Sequence, residues 1–152
     1  MGVDEAQLLA DFRAKFRVDE LLIASTPAWS WSLRPAQATV GAGVLSLNRY
    51  AASFAEVSAA EMAELAVLVA QLEGALKSVF DYDVINYLML MMVDKHVHFH
   101  VIPRYQGVRQ FAGLEWVDSA WPAVPALSVS QHSGQEDVLS TIREAVGLAC
   151  AS

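Results

Sequence analysis

The stretch from Val84 to Tyr105 constrains the fold most. Ten residues, Val84 to Val93, are apolar almost throughout, interrupted by Asn86, and after Asp94 the chain reads KHVHFHVIPRY. An apolar run of this length is too short to cross a bilayer. It has no polar face, which predicts a central strand over Val84 to Met92, covered on both sides. His96 to Ile102 reads as its antiparallel partner, with Asp94 and Lys95 in a tight turn between them. Alternate side chains of a strand share a face, so His96, His98 and His100 line one surface while Val97, Phe99 and Val101 point into the core.

The rest of the chain supplies the layers that such a pair of strands requires. Residues 4 to 17 read as a helix, with Leu8, Leu9, Phe12 and Phe16 on one face and Asp4 and Gln7 as a start signal. Glu20 to Ala24 and Trp29 to Leu33 read as strands, the second from the alternation in WSWSL between Pro27 and Pro35. Gly41 and Gly43 open a further strand through Val44 to Leu47, which leaves at Asn48 and Arg49. The clearest helix spans Ala59 to Phe80: Ser58 and Glu61 make a capping box, and Met62, Leu65, Val69, Leu72, Leu76 and Val79 recur at helical steps. Arg104 to Gln131 reads mostly as loop. A last helix is expected over Gln135 to Ala149, with Ser133 and Glu136 repeating the capping spacing and Val138, Leu139, Ile142 and Val146 facing inward. No repeat or linker divides the chain, so residues 1 to 152 are expected to form one domain of ordinary size.

Composition narrows the function. A formal net charge of −7 and a pI near 4.9 disfavour a sequence-independent grip on a nucleic-acid polymer, which needs clustered Lys and Arg. A small phosphorylated ligand needs only a local positive pocket. The one cysteine, Cys150, allows no intrachain disulfide and no cysteine metal cluster. The N-terminal sequence carries charge throughout and lacks the pattern of a secretory signal. The expectation is a cytoplasmic protein with no membrane partner.

Three of the four histidines fall within five residues. Burying imidazoles without partners costs free energy that an apolar residue would not, so packing is a poor explanation. A metal site is an alternative, because imidazole is a common ligand and a His-x-His pair on a strand can converge on one ion. Its further ligands are hard to name: Cys150 and His132 are remote in sequence and only Asp94 is near. An exposed, weakly functional histidine row is the remaining alternative.

His96-Val97-His98-Phe99-His100-Val101-Ile102, followed by Pro103-Arg104, resembles the signature of the histidine-triad superfamily, in particular its members that hydrolyse diadenosine polyphosphates. The likeness extends over about residues 20 to 105, where the Gly41-led strand, Arg49 and the helix after Phe54 resemble the superfamily's Gly-led strand, basic exit and long helix. It leaves 106 to 152 as loop and C-terminal helix. The resemblance implies an α+β fold: an antiparallel sheet of about five strands, a long helix and N- and C-terminal helices, usually in a homodimer. It implies a nucleotide partner, a purine mononucleotide or dinucleoside polyphosphate. It also implies that His98 attacks the α-phosphate to form a covalent intermediate, with His96 and His100 acting on the phosphate oxygens and leaving group. No metal or other cofactor is required. Neutral imidazole suits that role, since it is nucleophilic near neutral pH when one nitrogen is unprotonated and the other donates to a fixed carbonyl.

Substrate contacts are expected from Asn86, which resembles the superfamily's asparagine before the triad at shortened spacing, and from Arg49 and Arg104, whose guanidinium groups match phosphate geometry. Asn86 also reads as a hydrogen-bonded polar residue of a strand. The chain departs from the common pattern at three positions. Met92 stands where many members have glutamine in a glycine-rich loop, Ala42 where many have histidine, and Arg34 near the place of an acidic or amide ribose contact. Trp29 and Trp31 read as core ahead of a purine wall. Trp116 and Trp121 fit either a pocket cap or a dimer face. Asp94 reads as a turn residue ahead of an orienting partner for His96, and His132 as a surface residue.

Overall fold

The computed structural model describes residues 4–151. Its centre is a five-stranded antiparallel sheet of β1 (Leu22–Ser25), β2 (Trp29–Leu33), β3 (Gly43–Leu47), β4 (Val84–Leu88) and β5 (His98–Arg104), in the order β1-β2-β3-β5-β4. Helices α1 (Glu5–Lys15), α2 (Ala59–Phe80) and α3 (Glu136–Ala151) complete the α+β architecture expected from the sequence. No helix among the described residues is long and apolar enough to cross a membrane.

The register divides the sheet into two unlike faces. Trp29, Trp31, Leu45, Leu47, Phe99 and Val101 share one face and pack beneath α2 and α3 with Leu65, Leu68, Leu72, Leu76, Ile142 and Val146. Both tryptophans are fully buried core, and Trp29 donates its indole N–H to the Glu61 carbonyl at 2.8 Å. Gly43 makes room for this layer, because a Cβ there would lie 2.9 Å from both the Ser32 carbonyl oxygen and Trp31 Nε1. The opposite face carries Ser30, Ser32, Val44, Ser46, His98, His100, Ile102 and Arg104. A polar surface of this kind is normally wet or occupied, yet β2 and β3 are buried at every position.

Local signals place the helices well. Asp4 caps α1 by accepting from Ala6 and Gln7, and the Ser58–Glu61 capping box of α2 forms in full. At α3 the Ser133 pattern is not used: the helix starts at Glu136, and the Gln135 carbonyl accepts from Val138 and Leu139.

Two expectations about the strands are corrected. The run from Val84 is not a central strand to Met92 but an edge strand that ends at Leu88; Val84 is 46% exposed. It is apolar on both faces because Tyr87 packs toward α2, where its hydroxyl donates to Glu73, while Asn86 and Leu88 belong to the histidine face. The tight turn at Asp94 and Lys95 is instead a connection over residues 89–97 containing Met91 at φ 52°, and strand pairing begins only at His98. Within the region read as loop, β6 (Arg109–Phe111) and β7 (Leu114–Trp116) form a hairpin. Ala112 and Gly113, both at positive φ, supply the two-residue turn whose twist suits a hairpin.

Candidate active site

The three histidines come together on the face away from α2, held by two different means. His98 and His100 project from β5, opposite Ser46 and Val44 of β3. His96 precedes the strand. Its segment is carried by the end of β3, through Leu47 N–H to the Val97 carbonyl and Val97 N–H to the Ala51 carbonyl. Val97 and Val101 are fully buried as expected, while Phe99 is partly buried against the core.

The hydrogen bonds define the tautomers. His96 donates from Nε2 to the Leu47 carbonyl at 2.8 Å, and its Nδ1 accepts from Ala51 N–H at 3.3 Å, so both nitrogens are engaged. Tyr50 stacks on the same ring at 5.5 Å between centroids. His98 donates from Nδ1 to the His96 carbonyl at 2.6 Å. A carbonyl can only accept, so the Nδ1 proton is fixed and the Nε2 lone pair is left available. His100 Nδ1 is buried without a partner.

Burial lowers the pKa of all three rings, since it penalises the cationic form. His100 falls furthest, to about 4, with the positive charge of Arg34 as the second cause. Hydrogen bonding to the Leu47 carbonyl opposes the effect at His96, and hydrogen bonding to the His96 carbonyl opposes it at His98. Neutral rings are the form that nucleophilic chemistry needs.

Helix α1 covers this face. Phe12 lies 4.9 Å, centroid to centroid, from both His96 and His98, and Phe16 lies 5.8 Å from both His98 and His100. The histidines retain 2%, 2% and 9% of their exposure. The Phe12 and Phe16 stripe was visible in the sequence as an inner face, but nothing local says which surface it meets. Beneath it, Ser32 Oγ, Ser46 Oγ and His100 Nδ1 are buried without partners. Leaving a buried polar group without a partner costs about 1–3 kcal/mol.

Two cavities flank the cover. One, of about 370 Å³, reaches His96 between Phe12, Lys15, Tyr50 and Asp94. The other, of about 140 Å³, reaches His98 and His100 past Leu90, Met92 and Asp94. Met92, at the departure from the glutamine pattern, is 79% exposed at this mouth. Asp94 lines both cavities and pairs with Lys15 Nζ at 2.8 and 2.9 Å, tying α1 to the 89–97 connection. It therefore anchors α1 instead of making a tight turn. Replacing Lys15 with Met should loosen the tie and raise the rate at which diethyl pyrocarbonate modifies His98 by up to about fivefold, since an exposed ion pair contributes up to about 1 kcal/mol. Peptide mass spectrometry reads this, and an unchanged or slower rate would mean that α1 is not a cover that opens.

Of the three residues expected to bind substrate, Asn86 and Arg104 share the histidine face of the sheet and Arg49 follows β3, and each is hydrogen-bonded within the protein. Arg49 grips both oxygens of Glu61 at 2.8 Å and the Glu56 carbonyl at 2.6 Å, locking the start of α2. Arg104 is buried in an ion pair with Asp118, at 2.7 and 3.2 Å, and donates to the Ala123 carbonyl. Asn86 accepts from Arg104 at 2.8 Å, so its amide serves this network. Each of the three groups thus has a protein partner in place. Trp116 is buried and donates to the Phe111 carbonyl, with His132 against its ring, while Trp121 and cis Pro122 border a groove along β4. Among the described residues no group of three His, Cys, Asp or Glu side chains is arranged to hold a metal ion.

No family sequence profile matches this chain, and no curated protein matches it by sequence. Solved structures do. A hypothetical histidine triad nucleotide-binding protein from Sulfolobus tokodaii superposes with a TM-score of 0.68 at 13% identity, over 95% of this chain and 91% of its own. A histidine triad protein from Sinorhizobium meliloti gives 0.67 at 18% identity, over 86% and 90%. One from Bradyrhizobium japonicum gives 0.61 at 22% identity, over 86% and 94%. With the order of the sheet, the long capped helix and three histidines on one sheet face, this likeness establishes that the chain has the fold of the histidine-triad proteins.

Proposed function

We propose that this protein is a nucleotidyl hydrolase or transferase, in which His98 attacks the α-phosphate of a nucleotide phosphoanhydride or phosphoramidate. The observation that carries the reading is the His98 Nδ1 to His96 carbonyl bond at 2.6 Å, which leaves Nε2 deprotonated on the triad face. In the first step the Nε2 lone pair forms a bond to phosphorus and the bond to the leaving group breaks, with its electron pair departing on that group. The nucleotidylated imidazolium that results keeps its proton on Nδ1 and donates it to the His96 carbonyl, which stabilises the positive charge. Water, or another acceptor, then attacks phosphorus, and the nitrogen–phosphorus bond returns its electrons to Nε2. His96 acts as a positioning residue, because both its nitrogens are engaged and its carbonyl orients His98. His100, with Nδ1 unpartnered, is the ring free to meet a phosphate oxygen or the leaving group.

Rapid-quench mass spectrometry with AMP-derived anhydrides and phosphoramidates should trap a nucleotidyl adduct on His98. The absence of an adduct during measurable turnover would sink the covalent mechanism. A second reading, nucleotide binding with little catalysis, is supported by the aromatic cover over the triad and by Met92 and Ala42; it is favoured if calorimetry detects AMP while no substrate turns over. The expected homodimer belongs to this proposal too. It is supported by β4, an edge strand whose outer flank has no neighbour in the sheet. Light scattering should give twice the mass of one chain, and a monomer at micromolar concentration would count against it.

A further inference from the structure

Arg34 extends β2 on the triad face. Its N–H donates to the Ala42 carbonyl at 2.8 Å, and strand alternation from Ser30 and Ser32 puts its side chain over the surface that the histidines share. The guanidinium donates to two neutral carbonyls, Ala36 at 3.1 Å and Leu127 at 2.9 Å, and its Nε is buried with no partner. Among the described residues no carboxylate pairs with it. The contrast is Arg104, whose charge Asp118 meets with both oxygens. A guanidinium keeps its proton even when burial lowers its pKa, so a charge sunk into the protein ordinarily has a counter-ion.

Its surroundings are incomplete in the same way. Ser32, one step back on the same face, is fully buried with Oγ unpartnered. Ser32 shares a cross-sheet row with Val44 and His100, and His100 Nδ1 is also unpartnered. Arg34 is near enough to help keep the His100 ring neutral. A guanidinium N–H and a hydroxyl thus lie short of a partner beside the unpartnered His100 ring, and phosphate oxygens would accept from both, and from His100 in its Nδ1–H tautomer.

We propose that Arg34 and Ser32, beside His100, form a second anion subsite that receives a substrate phosphate other than the one attacked by His98. The inference rests on the nucleotide reading above and narrows it. The substrate is a nucleotide carrying at least two phosphate groups, the second placed either along a polyphosphate chain or on a ribose hydroxyl.

Calorimetry distinguishes these sources. AMP, α,β-methylene-ADP, adenosine 2′,5′-bisphosphate and adenosine 3′,5′-bisphosphate are titrated into the parent protein and Arg34→Gln, whose amide can still donate to a carbonyl. At least one two-phosphate ligand should bind the parent about tenfold or more tightly than AMP, a gain typical of a charge-assisted phosphate contact. That preference should fall to about onefold in Arg34→Gln and return in part in Arg34→Lys; whichever ligand shows it identifies the source. If Arg34→Gln does not fold, the parent's preference should still shrink with added salt, and Arg34→Lys should keep part of it. Two-phosphate ligands binding no tighter than AMP, or a preference that survives Arg34→Gln or added salt, overturns the subsite while leaving the nucleotide reading intact. Failure of AMP and all the others to bind overturns both.

Discussion

His98→Asn is expected to lower nucleotidyl turnover by at least about 10⁴-fold, the scale seen when a covalent nucleophile is removed. Asn still offers an N–H to the His96 carbonyl but has no lone pair of comparable nucleophilicity. The fold should therefore survive, and the adduct should vanish together with turnover. Single-turnover kinetics and a thermal melt check both parts, and activity within tenfold of the parent would exclude His98 as nucleophile. The parent's pH profile carries related information. Because burial depresses the His98 pKa, the neutral ring persists to lower pH, and kcat/KM should hold below the ordinary imidazole range near 6.5 before protonation removes it. A fall already beginning above pH 7 would contradict the buried, neutral ring.

Asp118→Ala should produce the largest loss of stability, about 3–5 kcal/mol, the usual result of stranding one partner of a buried ion pair. The side chains of Arg104 and Asp118 are 4% and 2% exposed, so water cannot replace the missing carboxylate. Asp118 also accepts from Tyr105 N–H at 3.1 Å, and Arg104 joins β5 to β4 through Asn86 and to the loop through Ala123. For a chain of this size the loss corresponds to roughly 10 °C in melting temperature. Denaturant titration followed by circular dichroism measures it. The double variant Arg104→Met with Asp118→Leu should recover most of the loss, because removing both charges removes the penalty of burying either. A single-variant loss below 1 kcal/mol would mean that the guanidinium finds water or another anion.

These two cases mark where sequence reading succeeds and where it stops. The alternation of His98 and His100 with Phe99 and Val101 depends only on the two-residue period of a strand, and it survives in the structure unchanged. The α2 boundaries are equally local: a capping box at Ser58 and Glu61 and a helical apolar stripe determine them within the segment itself. The short β6–β7 hairpin escaped because three-residue strands leave almost no periodicity, and Ala112 is an unusual residue for its turn. Arg49 and Arg104 have the chemistry to meet a phosphate, and residue type alone does not reveal that Glu61 and Asp118 pair with them.

What the sequence by itself determined is the triad: three histidines close in the chain, two of them alternating on one strand, and the helices and strands whose periods are written in neighbouring residues. What only the tertiary structure decided is everything that needs two distant segments to meet. Phe12 and Phe16 lie over histidines more than eighty residues away in the chain, Lys15 ties to Asp94, and Arg34 meets no carboxylate among the described residues. The physical reason is that periodicity records only that a side chain is turned inward, whereas the identity of its neighbour depends on how the layers stack. The availability of His98 Nε2 belongs to both, since strand geometry aims the ring and the carbonyl of His96 selects its tautomer.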